Sequence, residues 1–123
     1  VGTMRAGMAH FADEAGPARL IALRSYRPFP AHALREAVEG LDHLIVIDRA
    51  ISPGLGGILG TEVAAVLSGD PAAPRIINHA LGLGGRDISE TVYADLMAAV
   101  RDPEAPAFSV FDADMNKLAP EDR

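Results

Sequence analysis

The chain contains no cysteine and no tryptophan, and only four phenylalanine and two tyrosine residues occur among its 123 positions. The absence of cysteine excludes disulfide bonds, thiolate catalysis and an iron–sulfur cluster ligated by cysteine from within this segment. With so few aromatic side chains, leucine, isoleucine and valine must fill the core. The length predicts one domain, because a chain of this size buries roughly two thirds of its unfolded surface.

Long apolar runs and basic stripes are also missing. No apolar segment approaches the ~20 residues of a membrane span, and the start of the chain has no signal-peptide profile. The net charge is −6, and the scattered basic residues argue against binding to a phosphate backbone. We therefore expect a cytoplasmic location, with no membrane or nucleic acid as partner. Val1, Gly2 and Thr3 are typical of the end of a strand whose beginning is missing, so we expect a fragment of a longer polypeptide.

Apolar periodicity predicts helices that alternate with strands. The predicted helices run over Ala6–Glu14, from Pro30 to Gly40, up to about Leu67, and from a cap at Ser89 to Val100. The predicted strands are Arg19–Leu23, Leu44–Ile47 and Arg75–Asn78. Because Leu44–Ile47 is continuously apolar, we expect it to be a central parallel strand that is buried on both faces.

Strands separated by helices indicate a mostly parallel sheet with right-handed crossovers and helices on both faces. The predicted fold class is therefore α/β, a three-layer Rossmann-like domain. We place this domain at residues 1–101. Residues 102–123 are rich in proline and acidic residues and are expected to form an irregular tail or interface segment, in which Ala107–Phe111 adds a short strand or docks on a neighbour.

The first glycine cluster contains Gly54, Gly56 and Gly57. Glycines at a helix N-terminus allow backbone amides to approach an anion. The dinucleotide-binding fingerprint, however, requires a third glycine where this chain has Leu59, and the loop begins far beyond the strand. A structural connection is the favoured interpretation, and anion or ligand contact is the alternative.

The second glycine cluster, with Gly84 and Gly85, is followed by Arg86 and Asp87. It comes after a predicted strand and before a helix, at the edge where open α/β sheets usually bind ligands. Arg86 has the chemistry to contact a carboxylate or phosphate. It is equally suited to pair with Asp87, which could instead cap the helix, so ligand or subunit contact and a structural role both stay open.

Asp48 and Arg49 end the apolar strand at the same edge, where reactive carboxylates often occur. No second acid lies close enough in sequence to predict a general acid–base pair. We favour an ion pair, or a carboxylate bonded to loop amides. The four histidines have no metal-ligand spacing, and His79 is expected to form a satisfied polar pair with Asn78 rather than to act in catalysis.

A basic group formed by Arg24, Arg27 and Arg35 surrounds Tyr26 and a proline-rich turn. Such a group could provide a cationic surface for a carboxylate or phosphate of a partner. A rigid Pro-Phe-Pro turn more often inserts its phenylalanine into a core or an interface. Docking of Phe29 is therefore the favoured interpretation.

Three motifs occur in order: Arg27-Pro28-Phe29-Pro30, then Asp48-Arg49 with Ser52-Pro53-Gly54, then Gly82-Leu83-Gly84-Gly85-Arg86-Asp87. Together they resemble the α chain of 2-oxoacid:ferredoxin oxidoreductases, and in particular its C-terminal, transketolase-like domain. The similarity extends from Gly2 to about Val100. One departure is Ile58, because the family commonly has proline after the glycines near Gly57, where this chain has isoleucine.

The resemblance implies an enzyme that decarboxylates pyruvate or a related 2-oxoacid on thiamine diphosphate, passes electrons through iron–sulfur clusters to ferredoxin, and forms acyl-coenzyme A. Thiamine diphosphate, magnesium and the clusters would be bound by other domains or subunits. This chain alone would bind no cofactor and supply no catalytic residue. Its implied role is to pack the catalytic domains together, to form subunit interfaces and to shape the approach to the active site.

Without the resemblance, the residues indicate a small Rossmann-like domain that binds an anionic metabolite between the loops at Gly54 and Gly82. This alternative predicts that the isolated chain binds a small ligand. The scaffold interpretation predicts no such binding and an exposed apolar face that partner domains cover.

Overall fold

The computed structural model describes residues 18–85, 88 and 91–111. The predictions for the strand ending at Thr3, for the helix over Ala6–Glu14, for Arg86 and Asp87, and for the cap at Ser89 lie outside the described residues.

Among the described residues, three parallel strands form the main sheet: His43–Asp48 (β1), Arg75–Ala80 (β4) and Phe108–Val110 (β5). They lie side by side in this order, and the strands numbered between β1 and β4 belong to a hairpin, Ile51–Ser52 (β2) and Gly56–Gly57 (β3). Every residue of β1 has a partner on β4, from His43 opposite Arg75 to Asp48 opposite Ala80. β5 forms the short strand that was one of the two alternatives for Ala107–Phe111.

Among the described residues, three helices connect or flank these strands: α1 over Ala31–Val38, α2 over Ile58–Leu67 and α3 over Thr91–Arg101. A short 3₁₀ turn covers Leu83–Gly85. These helices confirm the periodicity prediction for the described part of the chain. No helix among the described residues has the length and apolar character needed to cross a lipid bilayer.

The sheet lies between two apolar clusters, so the predicted three-layer α/β class is confirmed. One cluster joins α1 and α2 to the sheet, where Leu44 and Val46 of β1 contact them. The other joins α3 to the opposite face, where Ile45 and Ile47 contact it. Successive side chains of a strand point to opposite faces, and this alternation lets one apolar strand supply both cores.

The expectation that Leu44–Ile47 is covered on both faces agrees with the two apolar clusters, whereas its central position in the sheet stays a prediction. β4 has a strand on each side, whereas β1 pairs on one side only with a described strand. The last four residues of β4 are all buried, but only two residues of β1 are. A continuous apolar run shows that both faces of a strand are covered, but it does not show how many neighbours the strand has.

The prediction of a strand over Arg19–Leu23 is wrong. This segment has no regular structure, and none of its residues pairs with a described strand. Ile21 packs on the cluster between α1, α2 and the sheet, while Leu20 stays exposed. Of its apolar residues, Ile21 is therefore packed on the core without a hydrogen-bonded partner strand.

The connection between β1 and α2 is more ordered than the glycine-rich sequence predicts. Ile51–Ser52 (β2) and Gly56–Gly57 (β3) form a small antiparallel hairpin. The amide of Leu55 donates to the carbonyl of Ser52 at 2.9 Å, and the intervening Gly54 has a φ of 77°. Proline followed by a glycine of positive φ is typical of a type II turn.

Candidate functional site at the carboxyl edge of the sheet

The buried carboxylate of Asp48 is the centre of the polar groups at this edge. Its Oδ1 accepts a hydrogen bond from the amide of Leu59 at 2.8 Å, and its Oδ2 accepts one from the amide of Gly60 at 2.9 Å. Both amides belong to the first turn of α2, whose N–H groups have no partner within the helix. A side chain outside the helix therefore caps α2 and places a negative charge at the positive end of its dipole.

Asn78 completes this arrangement from the neighbouring strand. Its side-chain nitrogen donates to Oδ2 of Asp48 at 2.8 Å and to the carbonyl of Val46 at 3.2 Å. Asn78 is itself buried. Asp48 and Asn78 thus bond to each other. Asp48 also bonds backbone amides, as predicted, although these amides belong to the first turn of α2 and not to the preceding loop.

Two glycines allow α2 to approach this pair. A β-carbon on Gly57 would lie 2.2 Å from Oδ1 of Asn78 and 2.2 Å from Oδ2 of Asp48. A β-carbon on Gly60 would lie 2.3 Å from Cγ of Asn78. Side-chain carbons do not approach other atoms this closely, so glycine is required at both positions by the close contact between α2 and the polar pair.

This arrangement bears on the anion interpretation of the first glycine cluster. The amides that a phosphate would use at the start of α2 are already bonded to Asp48. Gly54 lies in the hairpin turn, and Gly56 packs under the ring of Phe108, where a β-carbon would be 3.2 Å from Cγ. These contacts give the first cluster a structural role, with the carboxylate of Asp48 in the position of the anion.

His79 follows Asn78 in β4 but does not form the expected polar pair. Adjacent strand residues point to opposite faces, so Asn78 faces α2 while His79 faces the α3 cluster beside Phe111, at 4.5 Å between ring centroids. Only 1% of His79 is exposed, and neither ring nitrogen has a hydrogen-bond partner in the part of the chain that the structure describes. Burial without a partner lowers the pKa of His79 to about 4.

The second glycine cluster lies beside the same edge. The guanidinium of Arg49 reaches the carbonyl of Gly82 at 3.4 Å, and the amide of Leu81 donates to the carbonyl of Asp48 at 2.9 Å. Gly84 and Gly85 have φ values of 68° and 83°, which favour glycine. Arg49 therefore ties the first strand end to the loop after β4. A ligand or subunit contact by this loop stays a prediction.

The basic residues around Tyr26 are largely engaged within the chain. Arg27 forms an ion pair with Glu62 of α2, which raises the pKa of Arg27, and Arg35 donates to the carbonyl of Val66 at 2.7 Å. The ring of Phe29 packs on the cluster around α1 and α2. Docking of Phe29, the favoured interpretation, is confirmed.

Sequence reasoning missed Glu62 as the partner of Arg27 and Gly60 as a contact of the polar pair. A signal for the Asp48–Asn78 contact was available, because Asp48 directly follows the predicted strand Leu44–Ile47 and Asn78 closes the predicted strand Arg75–Asn78. The structure shows that these strands are parallel and adjacent. No comparable signal existed for Gly60, because its role depends on how closely α2 packs on the sheet. Among the described residues, no group of three or more histidine or acidic side chains could hold a metal ion.

The sequence of this chain is similar to those of known oxidoreductase subunits. Residues 1–92 match the family described as pyruvate:ferredoxin oxidoreductase core domain II. Pyruvate synthase subunit PorA of Methanothermobacter thermautotrophicus is 30% identical over 102 residues, which are 83% of this chain and 26% of that protein. Subunit PorA of Methanocaldococcus jannaschii is 33% identical over 88 residues, 71% of this chain and 22% of that protein.

A relative with another substrate in its name is also similar. Ketoisovalerate oxidoreductase subunit VorA of Pyrococcus furiosus is 42% identical over 67 residues, which are 54% of this chain and 17% of that protein. The chain thus spans about a quarter or less of the length of these curated relatives.

The parallel sheet between helices, with its strand ends closed by internal hydrogen bonds, defines an open α/β domain. The chain belongs to the pyruvate:ferredoxin oxidoreductase core domain II family. The resemblance found in the three sequence motifs is therefore confirmed.

Proposed function

We propose that this chain is a scaffold and interface domain of the α chain of a 2-oxoacid:ferredoxin oxidoreductase. Family membership over residues 1–92 is the observation that carries this proposal. The relatives include subunits of pyruvate synthase and of ketoisovalerate oxidoreductase. The whole enzyme would decarboxylate a 2-oxoacid, pass its electrons to ferredoxin and form acyl-coenzyme A.

The polar edge of the sheet supports a structural role for this domain. Asp48, Asn78 and the first amides of α2 bond to one another, so their hydrogen-bonding capacity is used within the chain. A general base needs to reach a substrate proton, and an anion site needs unoccupied donors. The group at this edge instead fastens a helix to two strands, as expected of a domain that holds other parts in position.

The described residues of this chain offer no site suited to the cofactors that the family implies. The sequence has no cysteine to ligate an iron–sulfur cluster. Among the described residues no group of three or more histidine or acidic side chains could hold a metal ion, and the α2 amides that could bind a diphosphate are already bonded to Asp48. We therefore place thiamine diphosphate, magnesium and the clusters on other domains or subunits, with ferredoxin and coenzyme A as partners of the whole enzyme. The cytoplasmic location stays a prediction from the sequence.

Copurification of the native protein tests this proposal. The protein is isolated from its source under mild conditions, its associated chains are identified by mass spectrometry, and thiamine diphosphate and iron are assayed. We expect recovery within a larger polypeptide or complex that contains thiamine diphosphate and iron and reduces ferredoxin with a 2-oxoacid. Recovery of a lone, cofactor-free 123-residue protein that binds a small anion would contradict it and would support the metabolite-binding alternative.

A further inference from the structure

Large apolar side chains are exposed at one place in particular. Ile51, Leu55 and Ile58 are all exposed, and Leu55 is the most accessible of them at 62%. Ile51 pairs across the hairpin with Gly57, which directly precedes Ile58. The three side chains therefore belong to adjoining positions of the hairpin and the first turn of α2.

This apolar group continues along α2 to an aromatic residue. Glu62 follows Ile58 by four positions, so both lie on the same side of the helix. Glu62 pairs with Arg27, whose guanidinium lies over the ring of Tyr26, 4.4 Å from its centroid. Tyr26 is itself exposed. We call the surface formed by Tyr26, Arg27, Ile51, Leu55, Ile58 and Glu62 the hairpin surface.

The composition and rigidity of the hairpin surface are those of a docking site. Interface centres are enriched in tyrosine and arginine, and their fully buried core is more apolar than the rest of the surface. Leu55 is held by the hydrogen bond from its own amide to Ser52, so little backbone freedom would be lost on docking. The only described charges on this surface, Arg27 and Glu62, neutralise each other. A complementary surface therefore needs apolar side chains and no net charge.

The length of the relatives indicates what covers this surface. The chain corresponds to 26% of one pyruvate synthase subunit and 22% of another, so about three quarters of such a subunit lies outside the matched region. A second copy is a poorer occupant, because each copy has a net charge of −6 and two copies repel each other.

We propose that the hairpin surface docks against an apolar surface of another domain of the same α chain. This inference rests on the proposed function and deepens it by assigning an interface to named residues.

Site-specific photocrosslinking in the assembled enzyme tests the inference. Benzoylphenylalanine replaces Leu55 in the full α chain, the native complex is irradiated, and the crosslinked peptides are identified by mass spectrometry. We expect crosslinks to α-chain peptides outside residues 1–123, with no increase in the mass of the α-chain band, because the crosslink joins parts of one polypeptide. The same probe at the exposed Ala72, in the turn before β4, serves as the control and should crosslink to no protein.

The other outcomes overturn the inference. A band of higher mass would show that another subunit or a second α chain covers Leu55, and the absence of any protein crosslink would show that the surface is free. The complex is first verified by copurification of the wild-type chain. Failure of the proposed function therefore appears as an absent complex, whereas failure of this inference appears as a wrong or missing crosslink in a complex that is present.

A pair of substitutions provides a second measurement. Leu55→Asp in the full α chain should increase the rate of limited proteolysis between this domain and the rest of the chain by roughly tenfold, because cleavage follows the population of the undocked form. Leu55→Met preserves the apolar contact and should leave the rate unchanged. Equal rates for both variants would overturn the inference.

Discussion

The side-chain amide of Asn78 donates a 2.8 Å hydrogen bond to Oδ2 of Asp48, which joins the carboxyl ends of β4 and β1. The same oxygen accepts a hydrogen bond from the amide of Gly60, and Oδ1 accepts a hydrogen bond from the amide of Leu59. One carboxylate therefore connects two strands and a helix. This connection fixes the start of α2 against the sheet and, with it, the hairpin that precedes the helix.

Removal of the carboxylate should destabilise the chain strongly. Asp48→Ala leaves two helix amides and the Asn78 amide without their acceptor, and we expect a loss of about 3 kcal/mol in the free energy of unfolding. Asp48→Asn retains one acceptor oxygen and should cost less. Urea unfolding followed by circular dichroism measures both. The exposed Asp42→Asn is the control and should change the free energy by less than about 0.5 kcal/mol.

The substitution Gly60→Ala should destabilise the chain, whereas the same substitution within an exposed helix would stabilise it. Helix propensity alone predicts that glycine to alanine stabilises a helix interior by about 1 kcal/mol. Here the added carbon would overlap Asn78, so we expect a loss of at least about 2 kcal/mol. The control is Ala65→Gly on the exposed side of α2, which should cost about 1 kcal/mol. A stabilised Gly60→Ala chain would contradict the contact described here.

His79 should make the stability of the chain depend on pH. Its pKa falls from 6.5 in the unfolded chain to about 4 in the folded chain, so the unfolded state binds more protons between these values. The free energy of unfolding is not reduced by His79 above about pH 6.5. As the pH falls towards 4, protonation of His79 in the unfolded state lowers this free energy by at most about 3 kcal/mol.

The substitution His79→Leu isolates this contribution. Leucine removes the titrating ring and leaves no unpaired polar atom in the α3 cluster, so the variant should be at least as stable as the wild type near pH 7. The difference in unfolding free energy between the two proteins, measured from pH 7 to pH 4, should grow as the pH falls. A constant difference would show that His79 is not protonated on unfolding.

Truncation after Arg101 tests the predicted boundary of the domain at residue 101. The truncated chain lacks β5, which pairs with β4, and Phe111, which lies against His79. It also loses the bonds from the amide of Asn78 to Ala107 and from that of Phe111 to Ala80. We expect faster amide exchange in β4 and a lower urea midpoint. An unchanged midpoint would show that residues 1–101 are a complete folding unit.

The positions of the regular elements follow from the sequence to a large extent. Apolar spacing predicted α1, α2 and α3, and it predicted β1 and β4 within two residues at each end. This agreement has a simple cause, since the period of apolar residues is fixed by the geometry of a single helix or strand. The motifs around Pro28, Asp48 and Gly82 also predicted the family, because they are local sequences.

Contacts between elements required the tertiary structure. Only strand pairing shows that β4, and not β1, has described neighbours on both sides, and only the packing of α2 shows why Gly57 and Gly60 have no side chain. The burial of the His79 ring beside Phe111, where its nitrogens have no partner among the described residues, depends on how these segments pack. The sequence by itself thus determined the elements, their class and the family, because these depend on local periodicity and local motifs. The tertiary structure decided the partners of Asp48, His79 and Arg27, because distances between residues far apart in the chain arise only when the elements pack.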